Sequence, residues 1–274
     1  MRIVILASSL FSETACAMAA ELASIGQVPA GALALSTLDR ATLLRKLGQL
    51  GARQVARYAR AKLLPRSGNS KSSTRNLYLE PLLAHKSGSC RSLREVAGQY
   101  GFPVALCDEQ NSPDSIARLK RWSPDLIIFT GGNILRHELL SIPHLGVLNV
   151  HLGLLPEIRG MSSPEWSLLQ GVPVGITIHY MDAGIDTGPI LRRYELPDAA
   201  QYRSLDDLRH RLVAFGIEKT GEMVAVLIRG SISATPQPDL EKDNQFFVMH
   251  ERLRARATAH LTEKRFTIAA PANL

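Results

Sequence analysis

The segment 124–131, PDLIIFTG, leaves this chain few options. Four large apolar residues in a row stand between a Pro-Asp turn signal and the glycines Gly131 and Gly132. A strand wetted on one face alternates apolar and polar residues. A run that is apolar throughout must be covered on both faces, as strands of parallel sheets are. IVILA at 3–7 has the same character, and VPAGALALS (28–36), FPVAL (102–106), GVLNV (146–150) and GITIHYMD (175–182) read as further strands. Helical patterns fall between them, at about 13–25, 91–100, 135–141, 163–170 and 204–228. In SPDSIARLKRW, Ser112 or Asp114 can cap a helix that has Pro113 near its first turn. This alternation predicts an α/β fold: an open, Rossmann-like, mostly parallel sheet with helices on both faces, plus a small C-terminal appendage. The catalytic body is expected over 1–230, with a basic helix and polar loop inserted at about 38–76, and the appendage over 231–274.

At 274 residues the chain can bury a sizeable core, and it has no apolar run near the roughly 20 residues that cross a bilayer. The opening MRIVILASSLFSETACAMAAELA has some features of a signal peptide, but Glu13 interrupts it and Arg2 is its only early basic residue. A buried first strand is the better reading. Cys16, Cys90 and Cys107 are scattered and odd in number, which favours a reduced, cytoplasmic protein over a disulfide framework. The net charge is +7, and it is local. Arg40, Arg45, Lys46, Arg53, Arg57, Arg60, Lys62, Arg66, Lys71 and Arg75 occur with no acidic residue among them, and the rest of the chain carries 22 basic against 25 acidic residues. The stretch is a solvated helix face and loop, or a patch for a phosphate-bearing substrate. FFVM at 246–249 is a candidate homodimer contact.

The first βα turn, ASSLFS, lacks the glycine pattern of a dinucleotide site. The chemistry points instead to NVHLGLLPEIRG, at 149–160. Asn149 and His151 end a strand two residues apart, so they face the same side. A neutral hydrogen-bond donor beside a group that titrates near neutrality suits acyl-type chemistry, in which a carbonyl oxygen gains charge. A carboxylate to manage the attacking group's proton is available downstream in DAGIDTGPIL, as Asp182 or Asp186. There is no GxSxG nucleophile, no cysteine beside a histidine, and no metal-ligand spacing among the eight histidines. His179 reads as structural, and Trp122 as a packing residue.

NVHLGLLPEIRG followed by GITIHYMDAGIDTGPIL resembles the formyltransferases that use N10-formyltetrahydrofolate, a group acting on methionyl-tRNA, glycinamide ribonucleotide or amino sugars. The resemblance covers at least residues 124–191 and implies a catalytic trio of Asn149, His151 and Asp186. It implies that Asn149 and His151 stabilise the oxyanion, and that Asp186 orients His151 and accepts the amine proton. It places the folate against Gly132, Asn133, Ile134 and Leu135 and against the loop of Asp182 and Gly184, with Leu154, Leu155 and Pro156 along its tail. Many relatives carry Ser at the position of Gly153. That residue, with Arg159, Gly160, Glu165 and Trp166, is the expected acceptor side.

A tRNA-directed relative is expected to carry a C-terminal barrel of about a hundred residues, and a formyltetrahydrofolate hydrolase an N-terminal regulatory domain. The acceptor expected here is therefore a small-molecule amine, first a nucleotide-linked amino sugar. An amino acid or hydroxyornithine-type precursor and methionyl-tRNA are alternatives. A folate- or phosphate-binding module without catalysis is the non-enzyme reading.

Overall fold

The computed structural model describes residues 1–36, 76–84, 92–197, 199–202, 204–230, 232–238 and 244–268. The basic helix expected at 38–64, the polar loop at 65–74 and Cys90 lie outside the described residues. The strands are β1 (Ile3–Ala7), β2 (Gly31–Leu35), β3 (Val104–Cys107), β4 (Leu126–Phe129), β5 (Gly146–His151), β6 (Arg159–Gly160), β7 (Gly175–Tyr180), β8 (Ile190–Glu195) and β9 (Gln245–Phe246). The helices are α1 (Glu13–Ser24), α2 (Glu80–Ala84), α3 (Leu93–Tyr100), α4 (Pro113–Trp122), α5 (His137–Leu140), α6 (Ser163–Gln170), α7 (Leu205–Ile228) and α8 (Glu251–Ile268).

Seven strands make one sheet in the order β3-β2-β1-β4-β5-β7-β8. The first five pair in parallel, and β7 and β8 close the edge antiparallel. Every residue of β1 is fully buried. Ile3, Ile5 and Ala7 enter the core beneath α1 and α7, while Val4 and Leu6 enter the core on the α4 side. That is the two-faced burial its composition demands, and each large side chain so buried contributes about 1.5–3 kcal/mol. The cap of α4 is Ser112, whose hydroxyl accepts from the Ser115 N–H with Pro113 in the first turn. Serines cap α1, α3 and α7 in the same way. Strand β1 lies between β2 and β4, so the connections diverge there and open a crevice at the carboxyl ends of the strands.

Two features depart from the sequence reading. Strand β8, ILRRYE, is charged, and only its place at the sheet edge lets Arg192 and Arg193 stay exposed. Because β7 runs antiparallel to β5, the loop after it does not emerge at the carboxyl edge. It leaves at the level of Val147, whose carbonyl accepts the Met181 N–H, and reaches back to the sheet face bearing Asn149 and His151.

The described residues beyond 231 are woven into the body. Thr235 bridges Ile190, β9 pairs with β6, and α8 packs on α6. Met249, Ala257 and Leu261 share a buried cluster with Leu168, Ile176 and Leu212. Phe247 and Val248, the suggested dimer contact, are exposed. Among the described residues no helix is long and apolar enough to cross a membrane, and no group of His, Cys, Asp and Glu is placed to hold a metal ion.

Candidate active site

Strand parity puts Asn149 and His151 on one face of β5, and the antiparallel register sets His179 opposite Asn149 and Thr177 opposite His151. Asn149 Nδ2 lies 3.1 Å from His179 Nε2, and His179 Nδ1 lies 2.8 Å from the Tyr180 carbonyl. A carbonyl only accepts. Nδ1 of His179 therefore carries the proton, Nε2 is the acceptor, and the Asn149 amide donates to it. His179 is thus part of the site, against its reading as a structural residue. Its spacing of seven from Asp186 gives no strand or helix signal, so only the pairing register reveals it.

Asp186 completes the group. Its Oδ2 stands 3.3 Å from His151 Nδ1 and accepts the Gly160 N–H at 2.9 Å, while Oδ1 is 3.6 Å from His179 Nε2. The residue sits in the left-handed region at φ +53°, uncommon for any side chain but glycine, so its surroundings hold it there. Asp182 has a different job: its Oδ1 accepts from the Gly184 N–H and, at 2.6 Å, from the Thr187 hydroxyl, tying off the loop.

His151 is buried. Its Nε2 is 2.7 Å from the Ile158 carbonyl and 3.3 Å from Ser163 Oγ. Ile158 can only accept, so in the neutral ring Nε2 carries the proton and Nδ1 offers a lone pair to the Asp186 carboxylate. Two acceptors then face each other, and a proton delivered between them is stabilised. Burial pushes the His151 imidazole below its ordinary value, against the opposing effect of the Asp186 charge and the Ile158 carbonyl. Burial also pushes the Asp186 carboxyl up. The nearness of the His179 and His151 rings, either of which can take up a proton, and the Gly160 N–H outweigh it and hold the carboxyl below the ordinary carboxylate value.

Thr177 is fully buried; its hydroxyl donates to the Gly153 carbonyl at 2.8 Å and accepts the Leu155 N–H at 2.9 Å, fixing the turn that follows His151. A Cβ at Gly153 would lie 3.0 Å from His151 Nε2 and 2.9 Å from the Ser163 Cβ. Ser163 therefore fills the space that a serine at 153 would use. Gly153→Ser must shift His151 by a few tenths of an ångström, and its kcat is expected to fall about tenfold with little change in melting temperature. Steady-state kinetics beside a thermal melt checks this.

Other expected contacts are redirected. Leu154 and Leu155 are 1% and 0% exposed, and Leu135 packs with Leu139 and Val147, so none of the three is open to a folate tail. The Asn133 N–H donates to Gln110 Oε1, the Asn133 side chain accepts from the Gln110 N–H, and the Ile134 carbonyl accepts from Asn111. Gln110 and Asn111, missed in the sequence, brace the 131–135 loop. Gly132, at φ +150°, leaves room for the Gln110 side chain that any Cβ would strike. Glu165 is 1% exposed and holds Arg209 through two bonds of 2.6 and 3.0 Å, so it faces no acceptor. Trp166 stacks on Phe246 and donates to the Phe247 carbonyl. Arg159 is buried in β6, and Pro156 is half-buried. A pocket of about 270 Å³ lies between the ends of β4 and β5 and helices α1 and α7; it touches Asn149 but none of His151, His179 and Asp186.

Residues 91–221 match the sequence model of the formyl transferase family, and this segment contains Asn149, His151, His179 and Asp186. Methionyl-tRNA formyltransferase of Trichlorobacter lovleyi is 35% identical over 149 residues, covering 54% of this chain and 47% of that protein. The enzyme of the same name from Koribacter versatilis is 38% identical over 152 residues, covering 54% and 48%. The chain thus spans about half the length of the curated relatives it matches. Glycinamide ribonucleotide transformylase 1 from Symbiobacterium toebii shares the fold at TM-score 0.56 and 19% identity, over 87% of this chain and 94% of that one. An N-formyltransferase from Helicobacter canadensis, solved with folinic acid and dTDP-3-aminofucose, gives TM-score 0.56 at 13% identity over 96% and 80%. Residues 91–221 are thus similar in sequence to the formyl transferase family, and the chain shares its fold with solved formyltransferases.

Proposed function

We propose that this chain transfers a formyl group from N10-formyltetrahydrofolate to the primary amine of a small molecule. The observation that carries the reading is the His151–Asp186 pair, which faces two acceptors across 3.3 Å in a buried site. Such a pair suits a reaction whose nucleophile must lose a proton. The 131–135 loop suits the pterin end of the donor: Gln110 and Asn111 hold its backbone rigid, and Ile134 presents an apolar side chain that is 85% exposed.

The donor supplies an activated formyl carbon. The protein's side chains do the rest. One Asn149 N–H is fixed by His179, and the second is available to the formyl oxygen as it gains charge. The His151 N–H is directed at Ile158, so in this geometry the oxyanion falls to Asn149, and His151 serves the proton. The amine proton passes to the space between Asp186 Oδ2 and His151 Nδ1, where the imidazolium formed is stabilised by the carboxylate; as the formyl carbon's bond to the donor N10 breaks, the pair returns that proton to N10 and tetrahydrofolate leaves.

For the acceptor, a nucleotide-linked amino sugar is the first reading and an amino acid or hydroxyornithine-type precursor the second. Methionyl-tRNA is kept because the sequence relatives carry that name. The test is tetrahydrofolate release from N10-formyltetrahydrofolate with a panel of these amines. Release that depends on one acceptor class is expected. If no amine supports release while the donor still binds, the folate-binding-module reading replaces transfer.

A further inference from the structure

The family match ends at residue 221, yet the backbone that presents Asp186 is held from beyond it. Thr235 exchanges two hydrogen bonds of 2.8 Å with Ile190 in an antiparallel bridge. Two residues further along, the same register brings Gln237 opposite Gly188. There the Gln237 Nε2 donates to the Gly188 carbonyl at 2.7 Å and to the Asp186 carbonyl at 3.0 Å. The local sequence is Thr235-Pro236-Gln237-Pro238. Pro238 pushes Gln237 towards extended backbone, and both prolines lack an N–H. The Gln237 side chain is then the donor that this stretch offers to the loop.

The same C-terminal stretch reaches the other side of the carboxylate. Gly160, whose N–H holds Asp186 Oδ2, pairs with Phe246 of β9. Its φ of +90° and missing Cβ admit the Phe246 carbonyl, which also accepts the Met161 N–H at 2.9 Å. Met249 N–H donates to Ser162 Oγ, and Asn244 lies against the Pro156 carbonyl. Asp186 is thus gripped through its main chain by Gln237 and through its side chain by Gly160, which Phe246 pairs with.

We propose that Gln237 is a positioning residue for Asp186, and that the stretch Thr235–Gln237 is an integral part of the site and not an ornament to it. This rests on the reading of the His151–Asp186 pair as the proton acceptor. The left-handed backbone of Asp186 needs an external hold, and the bifurcated Gln237 donor provides one across the residue itself. The groups facing Asp186 are His151 on β5, His179 on β7 and the Gly160 N–H on β6, with Asp182 in the same loop.

The test compares Gln237→Glu, which keeps the shape and removes the donor, with Gln237→Ala. Formyl transfer is expected to fall about 30- to 100-fold in kcat for both, with the KM of the donor within about threefold. A second readout needs no turnover: the His151 imidazole titration followed by NMR. Loosening Asp186 weakens the carboxylate that raises the His151 pKa, so the titration moves to lower pH in Gln237→Ala; Gln237→Glu brings a charge of its own and is read by kcat alone. Melting temperatures identify any variant that fails to fold, and Gln237→Leu then stands in for it. Unchanged kcat and an unchanged His151 titration in folded variants would overturn the proposal. If the wild-type protein transfers no formyl group but the titration still moves, positioning stands and the assigned reaction does not.

Discussion

Asp186→Asn is expected to lower kcat for formyl transfer by about a thousandfold, within the roughly 10²–10⁴ range of a lost general base. The substitution keeps the shape of the side chain, and one of its atoms can still meet the Gly160 N–H that Asp186 Oδ2 accepts at 2.9 Å. It removes the charge that makes a proton welcome between positions 186 and 151. The pH profile gives the sign. The pair must be deprotonated to accept the amine proton, and both groups sit below their ordinary values. Wild-type kcat should therefore be flat near pH 7 and fall only at a pH below the ordinary imidazole range. In Asp186→Asn the carboxylate no longer raises the His151 pKa, so the imidazole titration moves lower still. A variant with wild-type turnover, or a His151 titration that moves upward, contradicts the assignment.

Glu165→Ala carries the largest expected effect on stability. Glu165 is 1% exposed and pairs with Arg209 at 2.6 Å, with Arg254 at 3.5 Å behind it and Asp206 2.7 Å from the far end of Arg254. These contacts tie α6 to α7 and α8. Breaking a buried pair costs about 3–5 kcal/mol. Arg209 and Arg254 keep 33% and 45% exposure and can partly return to water, so about 2–4 kcal/mol is expected. For a chain of this size that lowers the melting temperature by roughly 5–12 °C. KM for the acceptor should stay within about twofold at temperatures where the variant is folded. Unchanged stability with a raised acceptor KM would restore Glu165 to the acceptor site.

The difference between those two residues shows what the sequence can reveal. Strand parity, which acts over short distances, put Asn149 and His151 on one face, and the family resemblance chose Asp186 over Asp182 as their neighbour. The core was legible because LIIF and IVILA admit only burial on both faces. Glu165 and Trp166 were misplaced because their partners, Arg209, Arg254 and Phe246, lie at least 44 residues away and follow no period. His179 was missed for the same reason: an antiparallel strand inside a mostly parallel sheet sets it beside Asn149. Strand β8 was hidden by its charges, which are tolerable only at an edge. Leu154 and Leu155 look like ligand-lining residues in a motif, but Thr177 draws their turn inward.

The most direct test follows the formyl group itself. N10-formyltetrahydrofolate carrying an isotopic label in the formyl carbon is mixed with excess protein and an acceptor in a single turnover. The account predicts that the label appears as an amide on the acceptor, at a rate that depends on acceptor and drops about a thousandfold in Asp186→Asn. Label recovered only as formate, or transfer equally fast in both proteins, would contradict it.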